Sequence, residues 1–228
     1  GTDGQVLELA CGTGRLLFPV AESGVHITGL DQSPWMLDRA RKRFESAPAD
    51  VKARLALHQG DMRSFDLGRK FNLIYVPFNS FLILTEIADQ LAVLSAARRH
   101  LAPGGVFALD IFVPDINRLV TPVGPPTWGH ELEQIGADGL RLQRDIVREV
   151  DPRKQVLKVT WRMKEYRDSI LTREWLSDLV MTYIFPRELE HLAARAGLEF
   201  VHYWGDYDRR DFWTMKDPGK QLAVLKAA

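Results

Sequence analysis

Val6-Leu7-Glu8-Leu9-Ala10 is a short apolar run that leads straight into Cys11-Gly12-Thr13-Gly14. A run of that length ending on a glycine turn predicts a buried strand. Behind it, Leu16, Leu17 and Val20 fall on one face of a helix expected over residues 15–22, with Pro19 near its first turns. Strand, glycine turn and helix make the opening unit of an open α/β sheet, and such sheets bind ligands at the carboxyl ends of their strands. The two glycines let the backbone turn tightly and approach a ligand with no Cβ in the way.

The alternation continues along the chain. Residues 25–31 read as a second strand ending on Asp31, and 53–61 as a third with Asp61 just past its end. Between them Ser33 is placed to cap a helix with Pro34 at its first position, and Met36, Leu37, Ala40 and Phe44 share one side. Residues 71–78 predict a fourth strand, 86–101 an amphipathic helix stopped by Ala102-Pro103-Gly104-Gly105, and 105–112 a fifth strand. Strands alternating with helices predict a doubly wound, mostly parallel α/β sheet covered on both faces.

That pattern breaks after Phe112. Residues 117–129 read as loop. Leu157, Val159, Trp161 and Met163 then alternate with Lys158, Thr160, Arg162 and Lys164, which is the period of an antiparallel strand, and Trp161 and Met163 are expected on its core side. Residues 151–154 predict the turn to the strand before it, and 175–185 a further strand. The α/β pattern returns with a helix from Pro186 to Ala196, stopped by Gly197, and two strands over 198–208 and 221–227. Three parts are therefore expected: a cofactor-binding α/β part over 1–114, an antiparallel β insert or substrate cap over 115–185, and a return to the sheet over 186–228.

The 228 residues, 46% hydrophobic, suffice for one sizeable core with a small appended lobe. Lys+Arg and Asp+Glu are both 30, so a balanced charge gives no reason to expect nucleic acid or an anionic membrane as partner. Arg39 to Phe44 is a short basic run on a helical pattern and reads as a solvated face. One cysteine makes no internal disulfide and suits a reducing, cytoplasmic setting. There is neither a membrane-length apolar stretch nor a secretory signal pattern. The chain begins only a few residues before its first apolar run, from which residues upstream are expected to be missing.

The glycine turn is Gly12-Thr13-Gly14-Arg15-Leu16-Leu17, so the third glycine of a dinucleotide fingerprint is absent, and no triphosphate-binding loop occurs. Glu8, on the strand itself, repels a pyrophosphate but attracts an ammonium group. Asp31 stands where a carboxylate accepts hydrogen bonds from vicinal ribose hydroxyls. Asp61 can accept from an adenine amino group, with Met62 and Trp35 as apolar walls. A cationic end, a ribose and an adenine without a phosphate describe S-adenosylmethionine. Taken singly, Glu8 would read as an ion pair, Asp31 as a helix cap and Asp61 as a turn residue; their order at three strand ends favours the ligand.

These segments carry a resemblance. Glu8-Leu9-Ala10-Cys11-Gly12-Thr13-Gly14 is similar to the first motif of class I S-adenosylmethionine-dependent methyltransferases. Residues 29–37, 60–62, 71–84 and 101–112 resemble the later motifs in order and spacing, and the last two strands do so more weakly. The insert after the fifth strand resembles that of small-molecule members, including the sugar N-methyltransferase type. The resemblance implies a Rossmann-like sheet of seven strands. It implies that Glu8, Ala10, Cys11, Gly12 and Gly14 lie near the methionine portion of the cofactor, that Asp31 binds ribose with Gln32 and Met36 beside it, and that Asp61 and Met62 hold adenine. Val76, Phe78 and Asn79, within residues 76–79, would border the sulfonium and the acceptor. Two departures are visible: the upstream helix that often covers the cofactor has no counterpart, and Asn72 stands where an acid is often found.

Methyl transfer from a sulfonium is an in-line displacement, so positioning the acceptor matters most, and an amine acceptor must lose a proton. His130 and Tyr183, in the insert, are the candidate bases, with Trp128 near them. Cys11 has no histidine close in sequence and reads as packing rather than as a nucleophile. The histidines show no metal-ligand spacing, so no metal is expected. The expected activity is methylation of a small molecule at nitrogen or oxygen, with S-adenosylhomocysteine as product. The alternatives are an RNA or protein acceptor, and cofactor binding without turnover. Insert strands can pair two copies into a homodimer or have their edges capped internally, and both remain open.

Overall fold

The computed structural model describes residues 4–115, 119 and 127–228; most of the loop read over 117–129 lies outside them. In chain order the elements are β1 (Gln5–Leu9), α1 (Leu17–Glu22), β2 (His26–Asp31), α2 (Pro34–Glu45), α3 (Ala49–Arg54), β3 (Leu55–Gln59), β4 (Phe71–Val76), a 3₁₀ turn (Ser80–Ile83), α4 (Ile87–His100) and β5 (Leu101–Phe112). They continue with β6 (Gly129–Ile135), β7 (Arg141–Asp151), β8 (Val156–Arg167), β9 (Ile170–Thr182), α5 (Pro186–Arg195), β10 (Leu198–Trp204) and β11 (Lys220–Ala227). Contacts group the chain into two compact units, one of Gly1–Val113 with Phe185–Ala228 and one of Pro114–Ile184.

The first unit is the expected doubly wound sheet. Its seven strands run in the order β10-β11-β5-β4-β1-β2-β3. β1 pairs in parallel with β2 and β4, β2 with β3, and β4 with β5; β11 is antiparallel to β5 and to β10. From β1 the chain winds outward to β2 and β3, then returns to place β4 on the other side of β1. That reversal opens a crevice at the carboxyl ends of β1 and β4. β1 is buried on both faces from Val6 to Leu9, with the carboxyl of Glu8 enclosed among apolar neighbours. On one face Val6, Leu17, Phe18, Ile27, Val51 and Leu55 form a continuous cluster. Elsewhere α4 packs on β5 and α5, and α5 on β10.

The local signals act as expected. The Ser33 Oγ accepts from the Met36 N–H at 3.3 Å, and Pro34 takes the first helical position of α2. At α5 the Glu188 carboxylate accepts from the Phe185 N–H at 2.8 Å, and Gly197 (φ 71°) follows the helix. The stop after α4 differs: β5 begins at Leu101, directly after His100, and carries Gly104 at φ 74° beside a register shift against β4. The glycines expected only to end a helix thus make a bulge in the following strand.

The second unit is a four-stranded antiparallel meander, β6-β7-β8-β9. Asp151 shapes the β7–β8 turn by accepting from the Arg153 and Lys154 N–H groups at 3.0 and 3.3 Å. Asp168 and Ser169, both at positive φ (48° and 66°), make the two-residue β8–β9 turn. β9 starts at Ile170, earlier than the expected 175, because that tight turn carries the pairing on to Arg167–Ile170. Trp161 and Met163 are only half-buried, which corrects the expectation that they form the core. The neighbouring polar row instead holds the buried carboxylate of Asp145. Arg162 Nη2 donates to it at 2.9 Å, Lys164 Nζ at 3.0 Å and Gln143 Nε2 at 2.8 Å, and His130 Nδ1 lies 3.5 Å away. The amide of Gln143, then Lys164 and Arg162, hold the Asp145 carboxyl well below the usual carboxylate range. Its contribution is therefore present above the unfolded pKa and lost only in strong acid. Asp145→Ala should destabilise the fold by about 1–3 kcal/mol at pH 7, read as a lowered thermal midpoint, because it strands two partly buried cations.

Candidate cofactor site

The turn after β1 is shaped by three left-handed residues, Ala10 (φ 55°), Gly12 (φ 54°) and Gly14 (φ 80°). The Cys11 N–H donates to the Leu30 carbonyl at 3.1 Å and the Gly14 N–H to the Cys11 carbonyl at 2.9 Å. A Cβ on Gly12 would meet nothing within 4 Å, so its backbone faces open space; on Gly14 it would lie 2.7 Å from the Phe18 ring. Gly14→Ala is therefore expected to cost about 1–3 kcal/mol, from left-handed strain and a clash with a fully buried ring, read as lost thermal stability. Cys11 packs against Gly29, where an added Cβ would stand 2.7 Å from its sulfur. Burial, then the charges of Glu8 and Asp31, push its thiol far above the ordinary range, so it is a packing residue.

Asp31, at the end of β2, organises this turn. Oδ2 accepts from the Gly12 N–H at 2.7 Å and Oδ1 from the Ser33 N–H at 2.8 Å, while the Asp31 carbonyl accepts from Gly60 N–H at 3.0 Å. Each carboxylate oxygen keeps a lone pair for a further donor. Asp31 lines a cavity of about 220 Å³ with Ala10, Gln32, Asp61, Met62 and Leu84. Asp61 is gripped by Arg63, whose Nε and Nη2 lie 2.9 and 2.6 Å from Oδ2, and Arg63 Nη1 reaches Asp89 at 2.9 Å.

Glu8 is 2% exposed, and its Oε2 accepts from the Tyr75 hydroxyl at 2.7 Å. Burial is the main cause that pushes its carboxyl up to about 7, and Asp31 adds to it against the Tyr75 hydrogen bond. A buried acid whose hydrogen-bond partner is a hydroxyl is suited to a cation.

β4 ends in a second strained turn, with Phe78 at φ 56° and Asn79 at φ 60°. Asp110 on β5 holds it: Oδ1 accepts from Phe78 N–H at 2.6 Å, and its carbonyl from Asn79 N–H at 3.0 Å. The Tyr207 hydroxyl donates to Asp110 Oδ2 at 2.7 Å, and Asn79 Oδ1 accepts from Phe112 N–H at 2.7 Å. Strain of this kind collects at functional sites. Phe78 and Val76 line a separate, apolar cavity of about 540 Å³ over β4, β5 and β11.

The structure thus gathers Ala10, Asp31, Gln32, Asp61 and Met62 around one cavity, with Gly12 and Gly14 in the adjoining turn. Trp35 is a correction: it is 58% exposed, covered by the Arg39 guanidinium at 3.8 Å, and the apolar lining of the cavity comes from Met62, Ile83 and Leu84 instead. Met36 does not line the cavity; its N–H serves the Ser33 cap. The roles of Arg63, Asp89 and Asp110 were not readable, because each acts through a partner distant in sequence or through its own backbone turn. His130 and Tyr183 both lie in the second unit, His130 exposed on β6 beside Asp145 and Tyr183 buried, its N–H donating to the Gln155 carbonyl at 3.2 Å. Among the described residues no three His, Cys, Asp or Glu side chains gather as a metal ion would need, and no helix is long and apolar enough to cross a membrane.

Residues 6–105 match the family profile of a methyltransferase domain. That segment is similar to a methyltransferase domain. Over 106 residues, 46% of this chain and 41% of the relative, the chain is 38% identical to the dTDP-3-amino-3,4,6-trideoxy-alpha-D-glucopyranose N,N-dimethyltransferase of Streptomyces venezuelae. It is 34% identical over 113 residues, 49% of this chain and 44% of the relative, to a cypemycin N-terminal methyltransferase of a Streptomyces species. The matched segment spans less than half the length of these curated relatives. Among solved structures, the CcbJ methyltransferase of Streptomyces caelestis is 28% identical with a TM-score of 0.84, covering 99% of this chain and 84% of that one. The S-adenosylmethionine-bound CalS10 amino pentose methyltransferase of Micromonospora echinaspora is 26% identical with a TM-score of 0.73, covering 97% and 83%. Both likenesses extend over the two units of the chain.

Proposed function

We propose that the chain transfers a methyl group from S-adenosylmethionine to a nitrogen or oxygen of a small molecule. The observation that carries this is the pair of carboxylates Asp31 and Asp61 lining one cleft at the ends of neighbouring strands, with the buried acid Glu8 on β1 close enough to Asp31 to feel its charge. The residues fit the cofactor chemically: Asp31 has lone pairs left for a ribose diol, Glu8 is a buried acid suited to an ammonium, and Met62, Ile83 and Leu84 offer apolar walls to a base. When bound, the cofactor supplies an electrophilic methyl on a positively charged sulfur. The protein's share is to orient that cofactor and to hold the turn of Phe78 and Asn79 in place beside it through Asp110.

An amino group on a small molecule is the favoured acceptor, since the similar proteins of known name include sugar N,N-dimethyltransferases. His130, 3.5 Å from the buried Asp145, is the proposed base for its proton, ahead of the buried Tyr183. A terminal peptide amine is the second reading, resting on the likeness to the cypemycin N-terminal methyltransferase. Balanced charge speaks against RNA, and a cytoplasmic setting suits the single, buried cysteine. Titration calorimetry with S-adenosylhomocysteine tests the cofactor half. Folded protein that takes up no heat at millimolar ligand overturns it. Methyl release in a panel of amino sugars and short peptides tests the acceptor half, and binding without any release leaves only a cofactor-binding protein.

A further inference from the structure

Asp61 is the acid assigned to the adenine amino group, yet its carboxylate is not free to choose a direction. The Arg63 backbone N–H donates to Oδ1 at 2.9 Å, and its side chain adds Nε at 3.0 and 2.9 Å from the two oxygens and Nη2 at 2.6 Å from Oδ2. The third guanidinium nitrogen, Nη1, donates to Asp89 Oδ2 at 2.9 Å, in the first turn of α4. Asp61, Arg63 and Asp89 all line the same cavity. One planar guanidinium therefore ties the loop after β3 to the start of α4 across the place where the base would lie.

We propose that Arg63 and Asp89 are positioning residues that set the purine specificity of the site: they fix the open lone pair of Asp61 so that it accepts from a 6-amino group. The proposal rests on the adenosyl reading given above. The chemistry is simple. Adenine presents a donor at its 6-position and an acceptor at N1; hypoxanthine presents a carbonyl and an N–H in those places. A carboxylate free to rotate finds the N1–H of hypoxanthine as readily as the amine of adenine. One held by a planar fork does not, and it faces the 6-carbonyl with a lone pair. Isolated ion pairs at partly exposed positions contribute little, but a bidentate arginine anchored at its far end by a second carboxylate is the geometry in which they matter. A lysine keeps the charge and loses the fork.

The test compares two ligands by calorimetry, S-adenosylhomocysteine and S-inosylhomocysteine, its 6-oxo counterpart. Wild-type protein should prefer the first by about a hundredfold or more, as a site built around a donor does. Arg63→Met and Arg63→Lys should both lower that preference by about tenfold, and Asp89→Asn by about threefold, mainly through weaker binding of the amino ligand. Added salt should erode the wild-type preference and leave that of Arg63→Met unchanged, which a merely structural role would not produce. An unchanged preference in both Arg63→Met and Asp89→Asn, with each variant folded and binding, overturns the proposal. A wild-type protein that binds neither ligand overturns the adenosyl reading and this inference with it, whereas one that binds both equally overturns the inference alone.

Discussion

Asp31→Ala is expected to weaken S-adenosylhomocysteine binding by roughly 30- to 700-fold, from the loss of about 2–4 kcal/mol of charge-assisted hydrogen bonding to the ribose. Calorimetry reads it directly. The residue is doubly placed. Its two oxygens hold the N–H groups of Gly12 and Ser33, so the variant also frees the glycine turn from β2 and uncouples it from the start of α2. The loss should therefore exceed that of a residue touching ribose alone, and the thermal midpoint should fall with it, by the cost of stranding backbone donors, about 1–3 kcal/mol. Asp31→Asn separates the two roles. One carbonyl oxygen can still serve Gly12 or Ser33, so stability should recover in part while binding stays impaired. An Asp31→Ala protein that binds as tightly as wild type would remove the ribose assignment.

The second large effect is a gain in stability. Glu8 is buried with its carboxyl pushed up to about 7, chiefly by desolvation. The folded chain thus holds a proton there that the unfolded chain, at about 4.5, has released. In that window the native state binds more protons, so stability falls as pH rises from about 4.5 to about 7 and stays low above it. The penalty amounts to roughly 3 kcal/mol at pH 8. Glu8→Gln keeps an acceptor for the Tyr75 hydroxyl and removes the charge. It should raise the thermal midpoint by several degrees at pH 8 and change it little at pH 4.5. The same substitution should sharply weaken binding of the amine-bearing ligand. In wild type the affinity should decline about tenfold per pH unit below 7, because only the ionised acid meets an ammonium, and in Glu8→Gln it should be flat. A variant that is more stable yet binds normally would show that Glu8 does not meet the ammonium. The pairing of lost binding with gained stability is the signature of a functional group held at a cost to the fold.

What could be read along the chain is what depends on neighbours in sequence. The alternation of apolar runs with helices sufficed for the doubly wound sheet, since a strand buried on both faces is predominantly apolar and a Ser-Pro start commits α2 wherever it packs. The places of Glu8, Asp31 and Asp61 in the fold were legible for the same reason: each sits at a fixed step from the end of a strand. The period of two in β8 announced an antiparallel insert. It did not announce which of its faces holds the buried charge, and Trp161 proved half-buried while Asp145 proved enclosed by cations from β8.

Only the tertiary structure decided how the carboxylates are held. Arg63 and Asp89 meet because β3 and α4 converge on one cavity. Asp110 meets Phe78 because β4 lies beside β5, and Tyr207 because the segment between β10 and β11 leads into the strand on the other side of β5, although those residues are far apart along the chain. Periodicity and capping are short-range, so one strand's own residues settle its existence and its buried face. The direction of a carboxylate is set by donors arriving from other elements, and pairings at that range exist only once the sheet has been assembled.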